Sequence, residues 1–180
     1  MNTEYLLVIT GVVVIFISLL FSAFLFFNSA KPEISNRLFA LFLLLVALDV
    51  TGFFSNLIFE GSSNLNILRS NLIFLQLPTF YIYVLSVCYS DFEIKIKHFW
   101  HVLPFLLANL ILIPNYYTAD FLEKIIFLEF GSSQWELKII TAALHIQTFS
   151  YLTYILILLR KNKKLYLENF SDARVKSYKW

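Results

Sequence analysis

The sequence is short of everything a water-soluble domain uses to cover itself. Charged residues make up 14% of the 180 positions and apolar residues 59%, whereas a soluble domain carries about 25% and about 45–50%. So few charges cannot coat a globule, and the mean hydropathy of +0.73 agrees. A soluble nucleic-acid-binding domain and a disordered tail are excluded together. The single cysteine, Cys88, excludes an intramolecular disulfide and with it a secreted disulfide scaffold. Only four glycines occur, and there is no glycine-rich phosphate loop, no Gly-x-Ser-x-Gly and no His-Glu-x-x-His. Ser86, Cys88 and Ser90 have no base beside them in sequence. The chain reads as a non-enzyme. It also lacks a signal peptide's basic start: Met1-Asn2-Thr3-Glu4 carries an acid, and the apolar run behind it is longer than a signal core, with no cleavage site after it.

What the sequence has is apolar length. Five runs, at 5–27, 38–59, 65–89, 99–117 and 139–159, hold 23, 22, 25, 19 and 21 residues. At ~1.5 Å per residue, each crosses or nearly crosses a hydrocarbon core of ~30 Å. Lipid offers the backbone no hydrogen-bond partners, so each run must be helical. That holds even for Val12-Val13-Val14-Ile15, which would favour a strand in water. The expected fold is an all-α membrane protein: a bundle of about five transmembrane helices over 1–159, then a basic tail at 160–180.

Orientation follows from the basic residues. Lys31, Arg37, Lys95, Lys97, Arg160, Lys161, Lys163, Lys164, Arg174, Lys176 and Lys179 fall on alternate loops, which marks those loops as cytoplasmic. The other side receives Lys124 and Lys138 with six acids, among them Asp120, Glu123, Glu129 and Glu136, and Arg69 lies just inside a span. The N-terminus is therefore expected outside and the C-terminus in the cytoplasm, as an odd number of spans requires. Residues 118–138 form the long outer connection. Its 120–130 stretch reads either as a short interfacial helix, ended by Gly131, or as a plain loop over the bundle mouth. Tyr116, Tyr117, Trp135 and Trp100 sit at span ends as interfacial anchors.

Polar residues inside the runs are the candidates for function. Asp49 falls near the middle of its run, where a carboxylate costs about 2.5–3.5 kcal/mol on insertion scales. It reads either as a ligand counter-charge or as a hydrogen-bonded packing residue. Arg69 either snorkels outward or reaches toward Asp49, which lies about 9 Å deeper by helical rise. Asn71, Asn109, His145 and Gln147, with Asn56 and Gln76, fall in the outer half or near the midplane. They line a polar cavity for a small unknown ligand, or they join helix to helix at ~0.6 kcal/mol per bond. The candidate ligand set is thus Asp49, Arg69, Asn71, Asn109, His145 and Gln147. Pro78 and Pro104 each free a carbonyl one turn earlier and are candidate hinges.

His98 and His101 lie one turn apart at the cytoplasmic end of the fourth run, while His145 lies near the outer end of the fifth. The axial gap of about 18 Å is too wide for a bis-histidine haem, and two histidines are too few for a usual zinc site. No metal and no cofactor are expected. Arg160, Lys161, Lys163 and Lys164 form a stop-transfer patch drawn to anionic lipid headgroups at about 1 kcal/mol per charge, not a nucleic-acid site. A helix break is expected at Asn169-Phe170-Ser171-Asp172.

Several landmarks recur in order. They are Pro78-Thr79-Phe80-Tyr81-Ile82-Tyr83; Asp91-Phe92 with Lys95 and Lys97; His101-Val102-Leu103-Pro104-Phe105; Gln147 and Tyr151; and the basic stretch with Phe170-Ser171 and Trp180. Together they resemble the multi-spanning N-terminal membrane region of a class of bacterial AraC-type transcriptional regulators, where several spans precede a cytoplasmic helix-turn-helix DNA-binding domain. The landmarks run from Pro78 to Trp180; the first two runs match only in being hydrophobic. Leu77 stands where such proteins often have glycine, and their further helix and DNA-binding domain have no counterpart in these residues. The resemblance implies a sensory module of the bacterial inner membrane, without its output domain, acting alone or as a homo-oligomer. The alternatives are a small transporter or channel subunit, or a truncated remnant; no internal repeat favours transport.

Overall fold

The computed structural model describes residues 3–27, 33–54, 63–89, 91–131 and 133–169. Asn56, Ser90, Trp180 and the basic residues Lys31, Arg174, Lys176 and Lys179 lie outside them. Among the described residues the chain is helical, with no strand. The α-helices are α1 (Thr3–Phe27), α2 (Glu33–Val50), α3 (Asn64–Asn71), α4 (Ile73–Cys88), α5 (Leu103–Leu112), α6 (Phe121–Glu129) and α7 (Trp135–Asn169). A 3-10 turn, Thr51–Phe54, prolongs α2; another, Ile96–Val102, leads into α5, and a π-turn, Ile113–Tyr117, follows it. Joined in this way they make five helices long and apolar enough to cross a membrane: Leu6–Phe27, Glu33–Phe54, Asn64–Cys88, Ile96–Tyr117 and Trp135–Leu165.

The bounds differ from the apolar runs where polar residues still suit a helix. The second span starts at Glu33, ahead of Leu38, because a helix in its first turn welcomes an acid. Residues 55–59 of the expected second run lie outside the described residues. The largest difference is at the end. α7 begins at Trp135 and runs unbroken to Asn169, so Arg160 to Lys164 are helix rather than the start of a separate tail; residues 170–180 lie outside the described set.

Side-chain bonds set the register. Between α2 and α4, Ser86 Oγ donates to Ser35 Oγ at 2.9 Å, and Gln76 Nε2 reaches Leu45 O at 3.5 Å. Arg69, one helix earlier, reaches Leu48 O. One number rises as the other falls, so the helices are antiparallel. The same holds between the third and fourth spans, tied by Asn64–Tyr117, Asn71–Asn109 and Tyr81–His101. Between α4 and α7 both numbers rise together, from Phe74–Gln147 to Tyr81–Tyr151, so these two run parallel. α4 is the centre, with α2 on one side and α5 and α7 on the other; α1 packs on α2 and the Thr51–Phe54 turn.

The α1–α2 seam uses small residues, which let apolar helices approach where lipid offers no hydrophobic gain. Ser18, Ala40 and Ala47 are buried, and Ser22 Oγ donates to Ala40 O at 2.8 Å. A Cβ on Gly11 would lie 2.6 Å from Phe54 Cζ, so any larger residue there displaces the Phe54 ring. Most other apolar side chains of α1 are exposed, Phe27 at 81%.

The 120–130 stretch is a helix, α6, with the Asp120 N–H donating to Glu123 Oε2 at 3.1 Å as its first turn forms. Phe127 packs on Tyr116 and Leu112, with the Tyr116 and Phe127 rings 5.5 Å apart. Phe121, Leu122 and Ile126 remain exposed. The element is an amphipathic helix and also covers one end of the bundle. That end, which gathers Asn64, Tyr117 and Trp135, is called the α6 end; the opposite one is the basic end.

Candidate functional site

The six candidate ligand residues do not share one cavity. Arg69 comes from α3, and α2 meets it where its own helix runs out. Its Nη1 donates to the backbone carbonyls of Leu48 and Asp49 at 3.3 and 3.1 Å, and its Nε and Nη2 donate to Asn66 Oδ1 at 3.3 and 3.0 Å. The guanidinium lies flat against Gly52, where a Cβ would sit 2.9 Å from Nη1. A cation on the last carbonyls of a helix satisfies acceptors that have no partner in the helix and complements its dipole. Arg69 does reach Asp49, but at the main chain. The Asp49 carboxylate makes no hydrogen bond or ion pair with any described residue. Asp49 is the penultimate residue of α2, and the Thr51–Phe54 turn carries the span on past it.

Asn71 and Asn109 meet as helix-to-helix partners. Asn109 Oδ1 accepts from Asn71 Nδ2 at 3.0 Å and from Tyr117 Oη at 2.6 Å, while Asn109 Nδ2 returns to Phe105 O at 2.7 Å. All four groups are satisfied by one another, which is the joining reading of these residues.

Gln147 does something more specific. Its Nε2 donates 2.7 Å to Phe74 O. Phe74 stands four residues before Pro78, which has no N–H to offer that carbonyl. The acceptor freed by the proline on α4 is thus taken by an amide from α7, in a buried place. Gln147 Oε1 is buried with no partner among the described residues. Pro78 sits at a pinned point of the bundle. Pro104 lies at the start of α5, just after the 3-10 turn, where a missing N–H leaves no helical acceptor empty.

His145 stands apart. It is exposed on α7 with Nδ1 2.7 Å from Thr141 O of its own helix. It faces a groove of about 600 Å³ with Gly131, Leu137, Lys138, Thr141 and Ala142. Arg160, Lys161, Lys163 and Lys164 are exposed near the far end of α7. Among the described residues no group of three or more His, Cys, Asp or Glu is placed to hold a metal ion.

Two constellations were not legible as sites beforehand. Near the basic end, His101 Nδ1 and Tyr151 Oη are 2.5 Å apart, and Tyr81 meets both rings edge-on with centroids 5.7 Å away. At the α6 end, Glu136 is 1% exposed, takes a hydrogen bond from Asn115 Nδ2, and holds its other oxygen without a partner among the described residues. His101, Asn115 and Glu136 stand near span ends and Tyr81 and Tyr151 inside their spans; nothing local said that they meet. Tyr81, His101, Gln147 and Tyr151, with Pro78, all belong to the landmark series, and here they join α4, the 3-10 turn ahead of α5, and α7. No family model matches this chain, and no curated protein and no solved structure matches it at a significant level.

Proposed function

We propose that this chain is a membrane sensory module of a bacterial inner membrane, with its N-terminus outside and its C-terminus in the cytoplasm, like the membrane input region of an AraC-type regulator. The observation that carries the reading is the unbroken α7 of 35 residues. At ~1.5 Å per residue it is about 52 Å long, against ~30 Å of hydrocarbon. One rigid element thereby passes from the α6 end, where Glu136 and the groove lie, beyond the basic end.

Joints on that rod give the means of switching. Asn115–Glu136, Phe74–Gln147 and His101–Tyr151 tie α7 to its neighbours at three levels. A ligand that favours one set of these joints over another shifts a two-state packing equilibrium and moves the Arg160–Lys164 segment against the headgroups. The convergence of the landmark residues on these joints supports the family reading.

The test fuses a helix-turn-helix DNA-binding domain after Trp180 and reads a transcriptional reporter at matched protein levels. Loss of one joint, in Gln147→Leu or Tyr151→Phe, is expected to change output about fivefold, the effect of one hydrogen bond on a two-state equilibrium. Output that follows protein level alone sinks the proposal. Alkaline phosphatase fused after Trp180 is expected to be inactive; an active fusion overturns the orientation.

A further inference from the structure

The groove beside α7 presents polar atoms that the protein itself leaves unused. Lys138, Thr141 and His145 recur at helical spacing on one exposed stripe of α7 and line it together. The Lys138 ammonium makes no ion pair or hydrogen bond with any described residue. Thr148, Ser150 and Thr153, further along the same helix, each return their hydroxyl to the carbonyl four residues back at 2.7–2.8 Å. The Thr141 hydroxyl makes no such bond with any described residue. The His145 Nδ1 faces a carbonyl, which only accepts, so Nδ1 holds a proton, and Nε2 has no hydrogen-bond partner among the described residues.

These three groups sit in surroundings that are otherwise apolar, on a helix face that lipid would cover. An imidazole acceptor is costly there unless something meets it, while the Lys138 ammonium stands at the outer end of the stripe, within reach of an acid. The groove has a built wall. A Cβ on Gly131 would lie 3.0 Å from Leu128 O and 3.1 Å from Leu137 Cδ1, so the turn after α6 closes tightly over α7. The groove is shallow and open along one side, about 600 Å³, wide enough for a chain laid along it.

We infer that this groove binds a free acidic amphiphile, its carboxylate or phosphate on Lys138 at the mouth and a hydroxyl or N–H on its chain donating to His145 Nε2. The rise from residue 138 to 145 is about 10 Å, so the donor belongs at mid-chain, with Thr141 between the two ends. Ordinary phospholipid supplies the acid but no donor at that depth. The inference rests on the sensory reading, for which it names the ligand class and site. It places the ligand on the side of the groove away from Asn71 and Asn109.

The experiment uses the full chain in nanodiscs of phosphatidylcholine, with equilibrium binding of radiolabelled mid-chain hydroxystearate measured against empty nanodiscs. Binding is expected to saturate, with plain stearate about fivefold weaker for want of one hydrogen bond. Lys138→Gln should weaken both fatty acids about tenfold, since the bond lost is charge-assisted. His145→Leu should bring hydroxystearate down to the level of stearate and leave stearate unchanged. Both residues are exposed, so folding is not at stake; thermal unfolding of each variant checks this. Non-saturable uptake, or variants that bind as the parent does, overturns the inference. So does phosphatidylglycerol that competes as well as hydroxystearate, which would make the groove an ordinary lipid contact. Failure here leaves transmission along α7 standing, while saturable binding with no change in the fused reporter sinks the sensory reading alone.

Discussion

Arg69 and Asp49 separate two kinds of charge in an apolar protein. The guanidinium of Arg69 is consumed by Leu48 O, Asp49 O and Asn66, so replacing it with Met leaves carbonyls at the end of α2 without a donor. The expected loss is about 1–3 kcal/mol, read as lower stability on thermal unfolding in detergent. Asp49→Asn removes a carboxylate that no described residue holds, and its effect should stay within about 0.5 kcal/mol. An equal loss in both variants would mean that the two side chains act as a pair. The Pro78 joint makes a sharper test. Gln147→Leu strands Phe74 O, but Pro78→Ala supplies an N–H from within α4, so the double variant should recover part of what the single one loses. A double-mutant cycle is expected to give a coupling of about 1 kcal/mol, and additive losses would show that Gln147 does not act on that carbonyl.

Among the elements, α7 matters through its continuity and α5 through its interruptions. α5 is framed by a 3-10 turn before Leu103 and a π-turn after Leu112, where Pro104 and Pro114 each remove a helical N–H. α7 carries no proline and no glycine between Trp135 and Asn169. Leu165→Pro should break it at the last residue of the span, at about 3 kcal/mol for a helix interior. Insertion and the joints at Gln147 and Tyr151 lie well before that point and should survive. The expected result is a folded, membrane-inserted protein whose fused reporter no longer answers to Gln147→Leu. A reporter that still answers would show that output does not travel through this helix.

At the scale of the molecule, α1 is held through one neighbour, packing closely on α2 and the following turn, while α4 ties together α2, α5 and α7. Gly11→Leu should open the α1–α2 seam, because even a Cβ there meets the Phe54 ring at 2.6 Å. Cysteine pairs between α1 and α2 should lose cross-linking, and pairs between α4 and α7 should keep it; loss of both would mean that α1 organises the whole bundle. How much of this was legible follows from what kind of force is involved. The five long helices were readable because lipid compels any run of sufficient apolar length into a helix, without reference to its neighbours. That Arg69 takes the main-chain carbonyl of Asp49 and not its carboxylate was not readable, because Arg69 and Gly52 come together only in the fold. Pro78 was readable as freeing a carbonyl, yet Gln147 stands 73 residues from Phe74, and no local pattern pairs them. His145 was readable as a polar residue at depth. That it turns outward to a groove, while Asn71 and Asn109 turn inward, depends on which side of α7 meets α4.

The overhang of α7 has a mechanical consequence. Once the Asn115–Glu136 joint lets go, the rod is held near its middle and works as a lever, with the joints at Gln147 and Tyr151 as its fulcrum. For a rod of about 52 Å, a tilt of only about five degrees swings one tip roughly 4–5 Å relative to the other. A ligand wedged beside Lys138 thus needs to displace its own end by no more than the width of a methylene chain for the distant tip to travel the length of a side chain.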